Sequence, residues 1–77
     1  MNKRHNETRR KLKEIASVKE FESVLDRCTM TEDERQMMIL HYIQGKDFRF
    51  IGDTLGFSES SIKRKHRKVL AKISVIL

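Results

Sequence analysis

Seventy-seven residues with no proline, three glycines and 36% charged side chains suit one small helical domain and argue against a sheet. The net charge of +6 is unevenly spread: residues 1–14 carry six Lys/Arg against two acids, residues 15–58 five against eight, and residues 59–77 six against one. No apolar run approaches the ~20 residues that span a bilayer, and the basic N-terminus has no apolar segment behind it to make a secretory signal. The single cysteine, Cys28, has no partner for an intramolecular disulfide, so a reduced, packed thiol and a cytoplasmic setting are expected.

Residues 1–16 begin polar and basic, with Lys3, Arg4, Arg9, Arg10, Lys11 and Lys13. Leu12, Ile15 and Ala16 then fall at helical spacing, which predicts a helix from about Glu7 behind a few frayed residues. The segment reads as a basic arm and helix ahead of a unit covering 17–77, the whole forming one compact domain. Ser17-Val18-Lys19-Glu20 has the form of a capping box, and the helix it opens would bury Val18, Phe21, Val24 or Leu25, and Cys28. One continuous helix from about Glu7 to Cys28 fits the same residues.

Thr31-Glu32-Asp33-Glu34 is a stronger capping box, with three acids in the first turn where the helix dipole favours them. The helix it starts contains Met37, Met38, Ile39, Leu40, Tyr42 and Ile43, and Gly45 is placed as its C′ residue. Apolar content on more than one face predicts a central helix contacted on two sides. The methionines read as core filler and His41 as a structural histidine, not as metal ligands. Lys46 and Asp47 then link to a short helix from Phe48 to Leu55 whose inner face holds Phe48, Ile51, Gly52 and Leu55. Phe50 falls off that face, where it either packs on the N-terminal helix or contacts a partner.

Gly56 interrupts the helical pattern where a residue free to take positive φ turns the chain sharply, and Ser58 caps a new helix. Ile62, Val69, Leu70 and Ile73 recur at helical spacing, while Lys63, Arg64, Arg67 and Lys68 fill the positions between. Two helices joined by a glycine turn, the second apolar on one side and cationic on the other, form a helix-turn-helix pattern. Gly52 supplies the small residue where the helices cross, and Ile51, Leu55, Phe57 and Ile62 supply the buried apolar positions. Lys65 departs from the pattern at a position usually apolar: either its stem covers the core with the ammonium in solvent, or His66 takes the inward place. The chain closes on Ile73-Ser74-Val75-Ile76-Leu77, apolar enough either to fold back on the core or to make a small dimer contact. The fold class is therefore all-α, a domain of four to five helices containing a helix-turn-helix.

Met30-Thr31-x-x-Glu34-Arg35, Tyr42, Gly45 and Ile51-Gly52-x-x-Leu55-Gly56-Phe57-Ser58 stand at distances that match, without insertion, region 4 of bacterial sigma factors and the related effector domains of response regulators. The segment Met30 to Ile73 resembles those domains, and small regulators of phages and mobile elements carry similar ones. The resemblance implies that exposed residues early in the second helix, about 59–73, read bases in the major groove. Glu59, Ser60, Ser61, Lys63 and Arg64 occupy the matching positions. Arg64 is the candidate for a bidentate guanine contact, and Ser60 or Ser61 for bases or phosphates. Lys63, Arg67 and Lys68 would meet phosphates, Lys46 and Arg49 would anchor the adjacent backbone, and Ser58 would mark the start of the contact surface. The basic arm would touch phosphate or a minor groove, or remain a disordered terminus.

The expected partner is double-stranded DNA, bound by a sequence-specific transcriptional regulator and, because one helix-turn-helix covers one half-site, by a homodimer. A full sigma factor of the kind resembled would also need segments for the polymerase core and for the promoter element nearest the start site, and these 77 residues are not expected to supply them. The resemblance thus points to a stand-alone regulator or a region-4 mimic beside RNA polymerase. The alternative is a protein-binding adaptor that docks this fold on RNA polymerase or another regulator. An enzyme is not expected: there is no nucleophile–base pair, phosphate-cradling glycine loop or His/Cys cluster with metal spacing, so neither cofactor nor metal is called for.

Overall fold

A computed structural model describes residues 3–15 and 17–77, without the side chains of Lys3, Arg4 and His5. The fraying expected at the extreme N-terminus and the placement of Ala16 lie outside the described residues. Five helices follow one another, with no strand among the described residues: α1 (Lys3–Glu14), α2 (Val18–Asp26), α3 (Glu32–Met38), α4 (Phe48–Leu55) and α5 (Glu59–Ile73). The last turn of α3 passes directly into a π-helical turn, Ile39–Ile43.

α1 starts at Lys3, earlier than the apolar spacing predicts. Apolar periodicity marks where burial begins, whereas lysine, arginine and glutamate are themselves good helix formers and carry the helix outward. Of the two arrangements open for residues 7–28, the chain takes two helices. Ser17 is extended (φ −113°, ψ 131°), and its Oγ accepts the Glu20 N–H at 3.3 Å, capping α2 afresh. α2 buries Phe21, Val24 and Leu25, while Cys28 is half-buried against the core. Val18 is the exception to the expected set: it stands in the first turn beside the cap and is 50% exposed.

The second capping box forms in full. Thr31 Oγ1 accepts the Glu34 N–H at 3.2 Å, and the Thr31 N–H reaches Glu34 Oε1 at 2.9 Å. Glu34 is almost completely buried, with Lys72 Nζ of α5 3.9 Å from the same oxygen. Lys72 also donates to the Thr29 carbonyl at 2.8 Å, and Arg35 pairs with Asp26 at 2.6 Å, so the α2–α3 loop is tied on two sides. The helix end differs from a plain α-helix. The Gln44 N–H bonds back to Ile39 O at 3.2 Å and the Lys46 N–H to Leu40 O at 3.0 Å, with Gly45 at φ +70°. The widened turn lets the adjacent His41 and Tyr42 both face α5.

Burial is organised around α5, not around α3 as its apolar content predicts. Ile62, Val69, Leu70 and Ile73 of α5 are inaccessible to solvent, and α5 makes its principal contacts with α1, α3 and α4. α3 is touched on two sides as expected, by α5 and, through its π turn, by α4. Leu12 from α1, Phe21 and Leu25 from α2, Met37 and Met38 from α3 and Ile51 from α4 complete the core, the methionines filling it as expected. The C-terminal residues fold back: Ile76 and Leu77 pack on the core, Leu77 O accepts from Lys11 Nζ at 3.5 Å, and Val75 points to solvent.

Candidate nucleic-acid interface

α4 begins at Asp47, whose carboxylate accepts the Phe50 N–H at 2.8 Å, and it ends at Gly56 in the left-handed region (φ +82°). The Gly56 and Phe57 N–H groups both return to the Gly52 carbonyl, at 2.9 and 2.8 Å, and close the turn. Gly52 is also the point of closest approach. A Cβ there would lie 2.5 Å from Phe57 O, a backbone atom that cannot swing aside. Ser58 is extended, and its Oγ accepts the Ser61 N–H at 3.2 Å, which launches α5. The Gly52, Gly56 and Ser58 features follow from residue types that the sequence singles out, whereas Asp47, read there only as part of a link, is the cap of α4.

α5 is then held in rotation by the face it buries. Ile62, Val69, Leu70 and Ile73 share that face with His66, which is 5% exposed. Tyr42 Oη lies 2.7 Å from His66 Nε2, with the two rings stacked at 5.7 Å, and Phe48 and His41 close the cluster at 4.9 and 5.4 Å from the His66 ring. His41 has its own anchor: Nδ1 lies 2.8 Å from the Lys46 carbonyl, which can only accept, so Nδ1 carries the proton. Burial pushes the Tyr42 hydroxyl up to about 12, partly offset by the charge of Arg9. Burial likewise raises the Cys28 thiol against the lowering effect of Arg27 and Lys72, in keeping with an unreactive, packed side chain. Of the two arrangements weighed at the departure from the helix-turn-helix pattern, His66 takes the inward place. Lys65 is half-buried, with its ammonium 4.6 Å above the Phe57 ring.

The face opposite the core carries the candidate contact residues. Ser58, Ser60, Lys63, Arg64, Arg67 and Lys68 are exposed and Ser61 is half-exposed, all on α5 or at its cap. Three of them are tied to one another: Ser58 Oγ donates to Ser61 Oγ at 3.0 Å, and Ser61 Oγ accepts from Arg64 Nη2 at 3.2 Å. Lys63 pairs with Glu59 at 3.3 Å across one helical turn. Lys46 and Arg49 stand apart, around the start of α4, and Lys46 lies 4.9 Å over the Phe50 ring. Phe50 itself is 46% exposed, which settles its two readings in favour of an open position.

Sequence reasoning passed over Lys65 as a site residue. It lines, with Glu34, Phe57, Ser61, Arg64 and Lys68, a hollow of about 280 Å³ between the start of α3 and α5. The signal was available: positions 57, 61, 64, 65 and 68 fall on one stripe of the helix and its cap. Among the described residues there is no group of His, Cys, Asp and Glu that could hold a metal, and no helix long and apolar enough to cross a membrane.

The glycine turn, the close crossing at Gly52 and the buried stripe of α5 define a helix-turn-helix domain. The sigma-70, region 4 family model matches residues 29–74, which cover all of α3, α4 and α5, and the chain belongs to that family. It is 42% identical over 59 residues to the ECF RNA polymerase sigma factor SigX of Bacillus subtilis (strain 168), an alignment that takes in 73% of this chain and 29% of that protein. The chain therefore spans less than a third of that relative's length. No solved structure gives a significant match. The domain is of a regulatory, non-catalytic kind.

Proposed function

We propose that the domain binds duplex DNA through the exposed face of α5 and acts as a sequence-specific transcriptional regulator in the cytoplasm. The observation that carries this reading is the division of α5: an inaccessible apolar stripe fixes it in the fold, and five cations from Lys63 to Lys68 oppose a single acid, Glu59. A cationic helix held by a rigid turn meets phosphates by charge and base edges by shape. Arg64 is the base-reading candidate, Ser60 a second contact, and Arg67 and Lys68 phosphate contacts. Lys63 and, around the start of α4, Lys46 and Arg49 widen the footprint. Two such domains would pair to cover two half-sites, and RNA polymerase is the protein partner that the family membership favours.

Selection from a random duplex library at rising salt tests the reading. Enrichment of a defined motif, with affinity falling steeply as salt rises, is the expected result, and a palindromic motif with a dimeric complex in analytical ultracentrifugation supports pairing. A monomer on its selected site removes the dimer. The exposed Phe50 favours one second reading, a protein-docking adaptor. Reversing charge with Lys63→Glu and Arg64→Glu separates the two: a DNA reader loses duplex affinity, whereas an adaptor keeps its partner until Phe50→Ala.

A further inference from the structure

The hollow beside α5 holds one cation, Lys65, that the proposed reading leaves unused. Arg64, Lys65 and Lys68 bring three cations to a space of about 280 Å³, and the one carboxylate in its wall, Glu34, is already engaged. Glu34 Oε1 takes the Thr31 N–H at 2.9 Å and lies 3.9 Å from Lys72, outside the hollow's lining. None of the three cations has an acid partner among the described residues. Arg64 is turned onto Ser61 Oγ at 3.2 Å, Lys65 sits 4.6 Å over the Phe57 ring, and Lys68 is exposed.

Lys65 stands where the helix-turn-helix pattern calls for an apolar side chain, and the fold has not used it as one. His66 fills the core instead, and Lys65, with its ammonium 4.6 Å over the Phe57 ring, stands in the wall of the hollow. A lysine in that position is replaceable for packing. Its ammonium meets the Phe57 ring and no acid among the described residues.

We propose that this hollow is a phosphoryl-oxyanion site, with Lys65 adding its charge to that of Lys68 and Ser61 as a hydrogen-bond donor. It rests on the DNA-binding reading for its source: a backbone phosphate of the duplex, gripped on the α3 side of α5 while the other side reads bases. A point charge on a flexible stem suits a phosphate and carries no sequence preference, so the site strengthens binding without choosing the sequence.

The test uses Lys65→Met and Lys68→Met, which keep length and apolar stem, each first checked for an unchanged thermal midpoint. Binding to a random-sequence duplex is measured across a salt series beside the unaltered chain. Lys65→Met is the deciding variant and is expected to lower the slope of log affinity against log salt by about one, as Lys68→Met does for a phosphate contact already assigned, with affinity reduced alike on all sequences. A Lys65→Met slope equal to that of the unaltered chain overturns the site while leaving DNA binding intact. If the unaltered chain shows no salt-dependent duplex binding, the DNA reading fails, and a titration with inorganic phosphate decides the hollow alone. Saturable amide shifts at Ser61, Lys65 and Lys68, lost in both variants, support a site for a free phosphate. Absence of such shifts in a chain that also fails to bind duplex overturns the proposal.

Discussion

Gly52 and Gly56 show how far a single atom governs this domain. At Gly52 an added Cβ meets a backbone oxygen at 2.5 Å, so Gly52→Ala must push α4 and the turn apart. A loss of about 1–3 kcal/mol is expected, read as a fall in the thermal midpoint by circular dichroism. Gly56→Ala meets no neighbour and costs only the left-handed backbone, about 1–2 kcal/mol. Tyr42 offers a sharper test because it is the one tyrosine in a chain without tryptophan, so phenolate absorbance reports it alone. Its hydroxyl is raised to about 12 by burial, against an ordinary value near 10. The folded state therefore holds the proton that the unfolded chain gives up first. Stability is fully present below about pH 10 and declines as pH rises through about 12. Phenolate should appear near pH 12 in the folded protein and near 10 in denaturant. Tyr42→Phe removes this alkaline loss and, by taking away the partner 2.7 Å from His66 Nε2, costs about 1–2 kcal/mol at neutral pH.

At the scale of elements, the caps decide where helices start. Thr31 and Glu34 satisfy each other's backbone N–H groups, and Glu34 is drawn inside the fold by doing so. Thr31→Ala should lower stability by about 1 kcal/mol, while Thr31→Ser, which keeps the oxygen, should restore most of it in chemical denaturation. The caps at Ser17, Thr31 and Ser58, the turn glycines and the apolar stripe of α5 were legible because each is a local demand of the backbone on a residue type, although the cap at Asp47 was read only as a link. The π turn at Ile39–Ile43 was not, since nothing in ILHYI marks it. It arises where His41 and Tyr42 are both recruited to the Phe48–His66 cluster, and those partners are distant in sequence. The choice of His66 over Lys65 for the core has the same origin. Neighbouring positions on a helix compete for one buried place, and the decision is made by Tyr42 from another segment.

For the molecule as a whole, α1 is bound into the common core: Leu12 is 2% exposed and α1 lies against α5. Leu12→Ala should cost about 2–4 kcal/mol, a large share of what a domain of this size has, and should broaden amide signals along α5 as well as α1. The amino-acid sequence by itself determined the helical class, the limits of α4 and α5, the turn between them and the cationic character of α5. These depend on contacts within a few residues: a capping oxygen, a glycine at positive φ, a period of 3.6. The tertiary structure alone decided that α5 and not α3 is the hub, that Val18 stays outside, that Ile76 and Leu77 fold inward, and that the stripe of Arg64, Lys65 and Lys68 borders a hollow walled by Glu34. Each of those outcomes needs two segments to meet, and which surfaces meet is set by the packing of the entire core.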